Sequence, residues 1–199
     1  MLHALIRANG FAAIVLADAD GLEVSHVPCL LDPAAGALGA IHAHVSRANP
    51  LWRKVAGATA AVAIFQGAHG YVTPTWYPSK AETHRVVPTW NYAVVHAHGV
   101  LRTHEDADWL RAHVTALTEH HESGRAAPWR VADAQADYLA RQLGGIVGLE
   151  LTVTRLDGKW KVGQNRSEAD RRGMLAGLEA QADEASMALA ALVRESLGG

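Results

Sequence analysis

With one cysteine, Cys29, in 199 residues, the chain can form neither an internal disulfide nor an all-cysteine metal site. It also lacks any surplus of positive charge. The formal net charge of -2 leaves no overall field to hold nucleic acid. No apolar run reaches the roughly 18 residues of a membrane span, and Arg7, Asn9, Asp18 and Asp20 break up the first twenty residues, which therefore do not read as a secretion signal. A reducing cytoplasm is the expected setting. There is no Gly-x-Ser-x-Gly, no phosphate-cradling Gly-rich loop, no dinucleotide fingerprint and no His-Glu-x-x-His. With no internal repeat and no linker, one domain with a helical extension is expected.

The composition that is present is that of an ordinary globule, 49% hydrophobic, with turn signals spaced for short strands. Met1–Ala8 reads as a helix stopped by Asn9-Gly10. Phe11–Ala17 and Leu22–Leu31 read as a hairpin, and Ala37–His44 as a third strand. Leu51, Trp52 and Val55 mark a short helix ending at Gly57, Thr59–Phe65 a central strand, and Val86–Thr103 a long strand bending near Gly99. From Glu105 to Gly124, Trp109, His113, Ala116 and Leu117 recur at helical spacing, and Asp133–Leu143 reads as a second helix capped by Asp133. Ile146–Leu156 and Lys159–Val162, joined at Asp157-Gly158, read as another hairpin. After the capping Ser167, the stripe Leu175, Leu178, Ala182, Ala185, Leu189 and Leu192 predicts one long amphipathic helix that needs the barrel or a second subunit to cover it. The sum is a mainly β, antiparallel barrel or sandwich with accessory helices.

Three stretches hold the chemistry. Gly70–Lys80 with Val87–Tyr92 contains two of the six Trp, three of the four Tyr and three of the seven Pro. Proline at that density interrupts strands, so the stretch forms a rigid aromatic corner. With Lys80 and Arg85 nearby it is either a wall for a flat anionic ligand or a packing corner between strands. His44–Asn49 is a strand-to-helix junction where Ser46, Arg47 and exposed helix amides suit an anion, or else an ordinary cap with a solvated arginine. Lys159–Arg166 offers Gln164 and Asn165 to the edge of a heterocycle and Lys161 and Arg166 to its charge, or is a helix-entry loop. The twelve histidines include the pairs His42/His44 and His96/His98 and the adjacent His120-His121, without Glu or Cys at ligand spacing. They read as part-buried or surface residues, no metal is expected, and a heme held by one of them stays open as an alternative. Cys29 follows Pro28 in an apolar strand and reads as a small buried hydrophobe.

Taken together, His44–Trp52, Tyr71–Lys80, Val87–Tyr92 and Lys161–Arg171 resemble the PaiB-like family of FMN-binding proteins, named as negative transcriptional regulators and related to the pyridoxamine-phosphate-oxidase-like split barrels. Weaker agreement at Leu117-Thr118, Glu122 and Pro128-Trp129 extends the likeness over nearly the whole chain. The resemblance implies a dimeric, six-stranded FMN-binding split β-barrel over residues 1–165, with helices inserted at about 105–143, a C-terminal helical extension over 167–197 and FMN at the subunit interface. It places Ser46, Arg47 and Asn49, with His44 beside them, on the phosphate side, and Lys80 as a further cation. Trp76, Tyr77, Thr89, Trp90 and Asn91 would wall the flavin, and Lys161, Gln164, Asn165 and Arg166 would close it from the same or the partner chain. Where the family more often has Pro-Ser-Trp and Lys-Leu-Ser-Gln-Asn, this chain has Pro-Thr-Trp and Lys-Val-Gly-Gln-Asn, so a hydroxyl is lost at Gly163. The implied role is regulation of transcription by an FMN-binding dimer; the alternatives are an FMN-dependent oxidoreductase and a heme-binding split barrel. No helix-turn-helix supports DNA binding, and the best basic patch is Arg166, Arg171 and Arg172.

Overall fold

In the computed structural model, which describes residues 1–198, the alternating and β-branched stretches become six strands. They are β1 (Phe11–Asp18), β2 (Gly21–Asp32), β3 (Ala40–Ser46), β4 (Thr59–Val72), β5 (Thr89–His104) and β6 (Ile146–Lys161). The helices are α1 (Leu2–Ala8), α2 (Ser79–Thr83), α3 (Ala107–Glu122), α4 (Ala136–Gly144), α5 (Glu168–Gln181) and α6 (Glu184–Leu197), with short 3-10 turns at Leu51–Lys54, Pro74–Trp76 and Val131–Asp133. The strands close into a barrel in the order β1-β2-β3-β6-β5-β4. β1 runs antiparallel to β2, with Val15 opposite Val24, and its other edge takes β4, with Val15 opposite Val62. β3 runs antiparallel to both β2 and β6. Closure gives each strand a neighbour on both sides. No described helix is long and apolar enough to cross a membrane.

The chain divides into two compact units. The first is Met1–Phe65 with Val95–Asp157, and its core follows the period of two: Ala12, Ile14 and Leu16 on β1 and Val147, Leu149 and Leu151 on β6 are buried. Gly99 lets β5 approach β6 closely, because a Cβ there would lie 2.1 Å from the Thr152 carbonyl oxygen. The second unit is Gln66–Val94 with the chain from Gly158 onward. Its own core gathers Val72, Tyr77, Val162, Met174, Leu178, Leu189 and Val193.

Three expectations need correction. Residues 146–161 form one strand, not a hairpin about Asp157-Gly158. The Asp157 carboxylate lies 2.7 Å from Arg155 Nη1 and 3.1 Å from His98 Nε2, partners that hold the backbone extended. The C-terminal stripe is two helices rather than one: Ala182 takes a left-handed φ of 57°, and Asp183 starts α6 by accepting the Ser186 N–H at 2.9 Å. α4 begins at Ala136, since the Asp133 carboxylate is already engaged, accepting the Arg130 N–H at 2.8 Å and closing a 3-10 turn. The smaller shifts are at strand ends. β3 starts only at Ala40, after Gly39 at φ +89°, and β4 runs past Phe65 to Val72.

Candidate functional site

In the first unit, β3 delivers the junction residues to the end of the sheet, with Ser46 opposite Ile146 of β6. Asn49 organises the turn that follows. Its Oδ1 accepts the Leu51 N–H at 2.8 Å and its Nδ2 donates to Ser25 Oγ at 3.0 Å. Ser46 Oγ accepts the Ala48 N–H at 3.2 Å and keeps its own hydroxyl proton for another partner. Arg47 is held on three sides: its N–H donates to the Gly145 carbonyl at 2.9 Å, its Nε to the Gly144 carbonyl at 2.8 Å, and its Nη1 lies 2.6 Å from Glu105 Oε2. His44, Ser46 and Asn49 line an open cleft of about 580 Å³, together with His26, Arg141 and Gln142.

Behind His44 stands a histidine that the sequence placed on the apolar stripe of α3. His113 is 4% exposed, and its Nε2 lies 3.0 Å from His44 Nδ1. Burial, reinforced by the neighbouring His44 and His42, pushes its pKa from 6.5 down to about 3, so the ring is neutral at physiological pH. His44 is also lowered, by burial. Among the described residues, the His113 Nδ1 has no hydrogen-bond partner. A buried N–H without an acceptor costs more than a bare lone pair, so Nδ1 is the unprotonated nitrogen and Nε2–H donates to His44. His44 then carries its proton on Nε2. Trp109 fixes this arrangement, stacked on His113 at 5.3 Å and on His104 at 4.3 Å between ring centroids. Gly148 makes room for the indole, since a Cβ there would lie 2.2 Å from it.

In the second unit the aromatic corner is a 3-10 turn running into α2. Trp76 is half-buried against α5, where a Cβ at Gly177 would meet its ring at 2.3 Å. Tyr77 is buried, with the Arg166 guanidinium 4.9 Å from its ring centre. Burial raises the phenol pKa, against the opposing pull of Arg166. Asp170 ties α2 to α5 by accepting the Ser79 N–H at 3.1 Å and its hydroxyl at 2.7 Å. Trp76, Tyr77, Lys80, Thr75 and His84 line a pocket of about 410 Å³. Lys161 is anchored instead, donating to Thr89 Oγ1 at 2.5 Å and to the Trp90 carbonyl at 2.9 Å. The Trp90 ring is half exposed and stacked on His69 at 5.9 Å. Gln164 folds back on its own loop, accepting the Val162 N–H at 2.9 Å and donating to the Trp160 carbonyl at 2.7 Å, while Asn165 is exposed. Asn91 is buried, with Nδ2 3.2 Å from Met174 Sδ and Oδ1 without a partner.

The structure therefore groups Ser46, Asn49 and His44 on one cleft and Trp76, Tyr77 and Lys80 on one pocket, with Arg166 over the Tyr77 ring. Taken separately, the hydroxyl, amide and guanidinium of the first unit suit a phosphate, and the aromatic faces with two cations of the second suit a flat anionic ring. Among the described residues, no group of three His, Cys, Asp or Glu is placed to hold a metal ion. Sequence reasoning missed Glu105, His113 and Gln142 as neighbours of the junction. The one available signal was a histidine at an apolar helical position, His113.

A family model described as "Putative FMN-binding domain" matches residues 1–155. Among curated proteins, the chain is 31% identical over 230 residues to an uncharacterised protein of Emericella nidulans, covering 98% of this chain and 92% of that one. It is 27% identical over 192 residues to the Protease synthase and sporulation protein PAI 2 of Bacillus subtilis, covering 96% and 89%. Among solved structures it resembles the FAD and heme binding protein of Mycobacterium smegmatis, with a TM-score of 0.57, 20% identity, and 87% and 75% of the two chains covered. It also resembles the flavocytochrome Anf3 of Azotobacter vinelandii, with a TM-score of 0.61, 13% identity, and 86% and 71% covered. At those identities the likeness to the two structures is one of fold.

Proposed function

The chain belongs to the FMN-binding domain family that its first 155 residues match, and on that premise we propose that it works as a homodimer through the redox state of its flavin. FMN is its cofactor and supplies electron and hydride transfer when bound. The observation that carries the reading is the turn after β3, where Ser46 and Asn49 face a cleft and Arg47 stands beside them. In this proposal Ser46 and Arg47 take the phosphate through charge-assisted hydrogen bonds, Asn49 holds the turn in shape, and the His44 ring lines the cleft beside them. Lys80 and Arg166 contribute positive charge, Trp76, Tyr77 and Trp90 aromatic faces, and Lys161 holds Thr89 and Trp90 in place. The exposed Asn165 contributes an amide, whereas Asn91 is buried and Gln164 is engaged by its own loop, where they hold the surrounding structure. Exposed apolar residues support dimer formation: Phe11, Leu22 and Val24 in the first unit, Tyr71 and Val87 in the second.

A redox role is favoured over direct DNA reading by the state of the basic patch. Arg172 pairs with Glu168 at 2.6 Å, Arg171 donates to Ser196 Oγ at 2.9 Å, and Arg166 lies over Tyr77. Little of that charge is free for a phosphate backbone.

Titration of the purified protein with FMN, followed by flavin absorbance and fluorescence with the mass measured in the same buffer, tests the proposal. Stoichiometric binding to a dimer is expected, with heme added in parallel as the competing ligand. A monomer, or a chain that takes heme and refuses added FMN, overturns it.

A further inference from the structure

Between α3, the 3-10 turn at Val131–Asp133, and α4 lies a further cavity, of about 270 Å³. Its lining includes His44, Thr118, Trp129, Tyr138, Leu139 and Gln142. We propose that this cavity is a binding site for a single-ring aromatic molecule bearing a hydrogen-bond acceptor, such as an aromatic carbonyl compound.

Three observations carry the proposal. The walls are apolar and aromatic, and Trp129 and Tyr138 remain about half exposed, so flat faces are open at the cavity instead of being consumed by packing. The segment bearing Trp129 is fastened in place. Glu122 accepts the Trp129 N–H at 3.0 Å and pairs with Arg125 at 3.0 Å, which fixes the aromatic wall before any ligand arrives. Among the polar groups at the wall, which include Thr118 and Gln142, one has a fixed direction. His44 is oriented from behind by the fully buried His113, whose Nε2–H fills His44 Nδ1 and leaves Nε2–H as the free donor of the ring. A neutral N–H at an apolar wall selects an acceptor and gives nothing to a hydrocarbon of the same shape. The volume suits one ring, and the cavity adjoins the phosphate cleft across the shared residues His44, Gln142 and Ile146, so binding is compared with and without FMN.

Acetophenone and isopropylbenzene are the probes, nearly equal in shape and differing in the acceptor. Binding is read by saturation-transfer NMR and by shifts of the Trp129 indole N–H, on FMN-loaded protein and on protein without FMN. Acetophenone is expected to bind about fivefold more tightly than isopropylbenzene, the worth of one neutral hydrogen bond. Ala134→Trp, which fills the cavity from a partly exposed position, should weaken it at least tenfold without altering FMN uptake. Absence of acetophenone binding, equal binding of the two probes, or unchanged binding to Ala134→Trp overturns the proposal. Because FMN uptake is measured on the same samples, failure of the cavity and failure of the flavin reading are told apart.

Discussion

Arg47 and Glu105 form an ion pair at 2.6 Å, and that pair competes for the guanidinium proposed to hold a phosphate. Both side chains are well exposed, so the pair itself is worth no more than about 1 kcal/mol. Arg47→Ala should therefore weaken FMN binding by about 1.5–3 kcal/mol through the lost charge-assisted contact, whereas Glu105→Gln should tighten it by up to about fivefold. Flavin fluorescence titration of the two variants separates these effects. Unchanged affinity in both removes Arg47 from the phosphate site.

Acid should destabilise the fold through His113. Its pKa is about 3 when folded and 6.5 when free, so the unfolded chain binds the extra proton between those values. Stability is complete above pH 6.5 and falls as the pH drops from there towards 3. From pH 7.5 to pH 5 the loss from this residue is about 2 kcal/mol, at 1.4 kcal/mol per tenfold change in acidity. Urea denaturation at both pH values measures it. His113→Leu should lose less than the parent over the same interval, and an unaltered slope would show that the buried imidazole is not the cause.

Two glycines predict opposite outcomes. Gly99→Ala would drive a Cβ to 2.1 Å from the Thr152 carbonyl oxygen in the neighbouring strand, and should cost about 3 kcal/mol or more. At the end of α4, Gly144→Ala meets nothing within 4 Å and should be neutral or stabilising by up to about 1 kcal/mol. Thermal melts of the two variants, run side by side, check the strand spacing.

The thiol of Cys29 should be silent in the native state. It is 5% exposed and burial pushes its pKa up to about 12, so thiolate is scarce and reagent access is poor. Ellman's reagent should label it only as fast as the protein opens. Stoichiometric labelling within seconds in native buffer would mean that β2 is not packed as described.

The barrel was legible because its strands obey the period of two and its first turns carry ordinary signals, Asn9-Gly10 and Asp18–Gly21 among them. The candidate site was legible as residue types in stretches. What those residues do with their hydrogen bonds was not. Nothing local says that Asn49 caps its own turn, that Gln164 folds back onto Val162 and Trp160, or that Lys161 ties Thr89 and Trp90 together. The misread elements turn on single carboxylates, two of them engaged locally, Asp133 by Arg130 and Asp183 by Ser186, and one at a distance. Asp157 reads as a turn residue until His98, 59 positions earlier in sequence, is seen beside it. The helical stripe after Ser167 continues smoothly through Ala182, and the break is marked only in three dimensions, by the left-handed Ala182 and by the Ser186 N–H donating to Asp183.

The unbroken course of β6 decides where this chain can be cut. Asp157-Gly158 has the look of a tolerant hairpin tip, the place to insert a tag, open new termini or expect a protease to nick. It lies inside β6, short of the strand's end at Lys161, and a break there would separate the part of β6 that carries Leu149 and Leu151 from the part that carries Lys161. The joint at Ala182-Asp183 is exposed and stands between two separately capped helices, so insertions and engineered cleavage sites belong there.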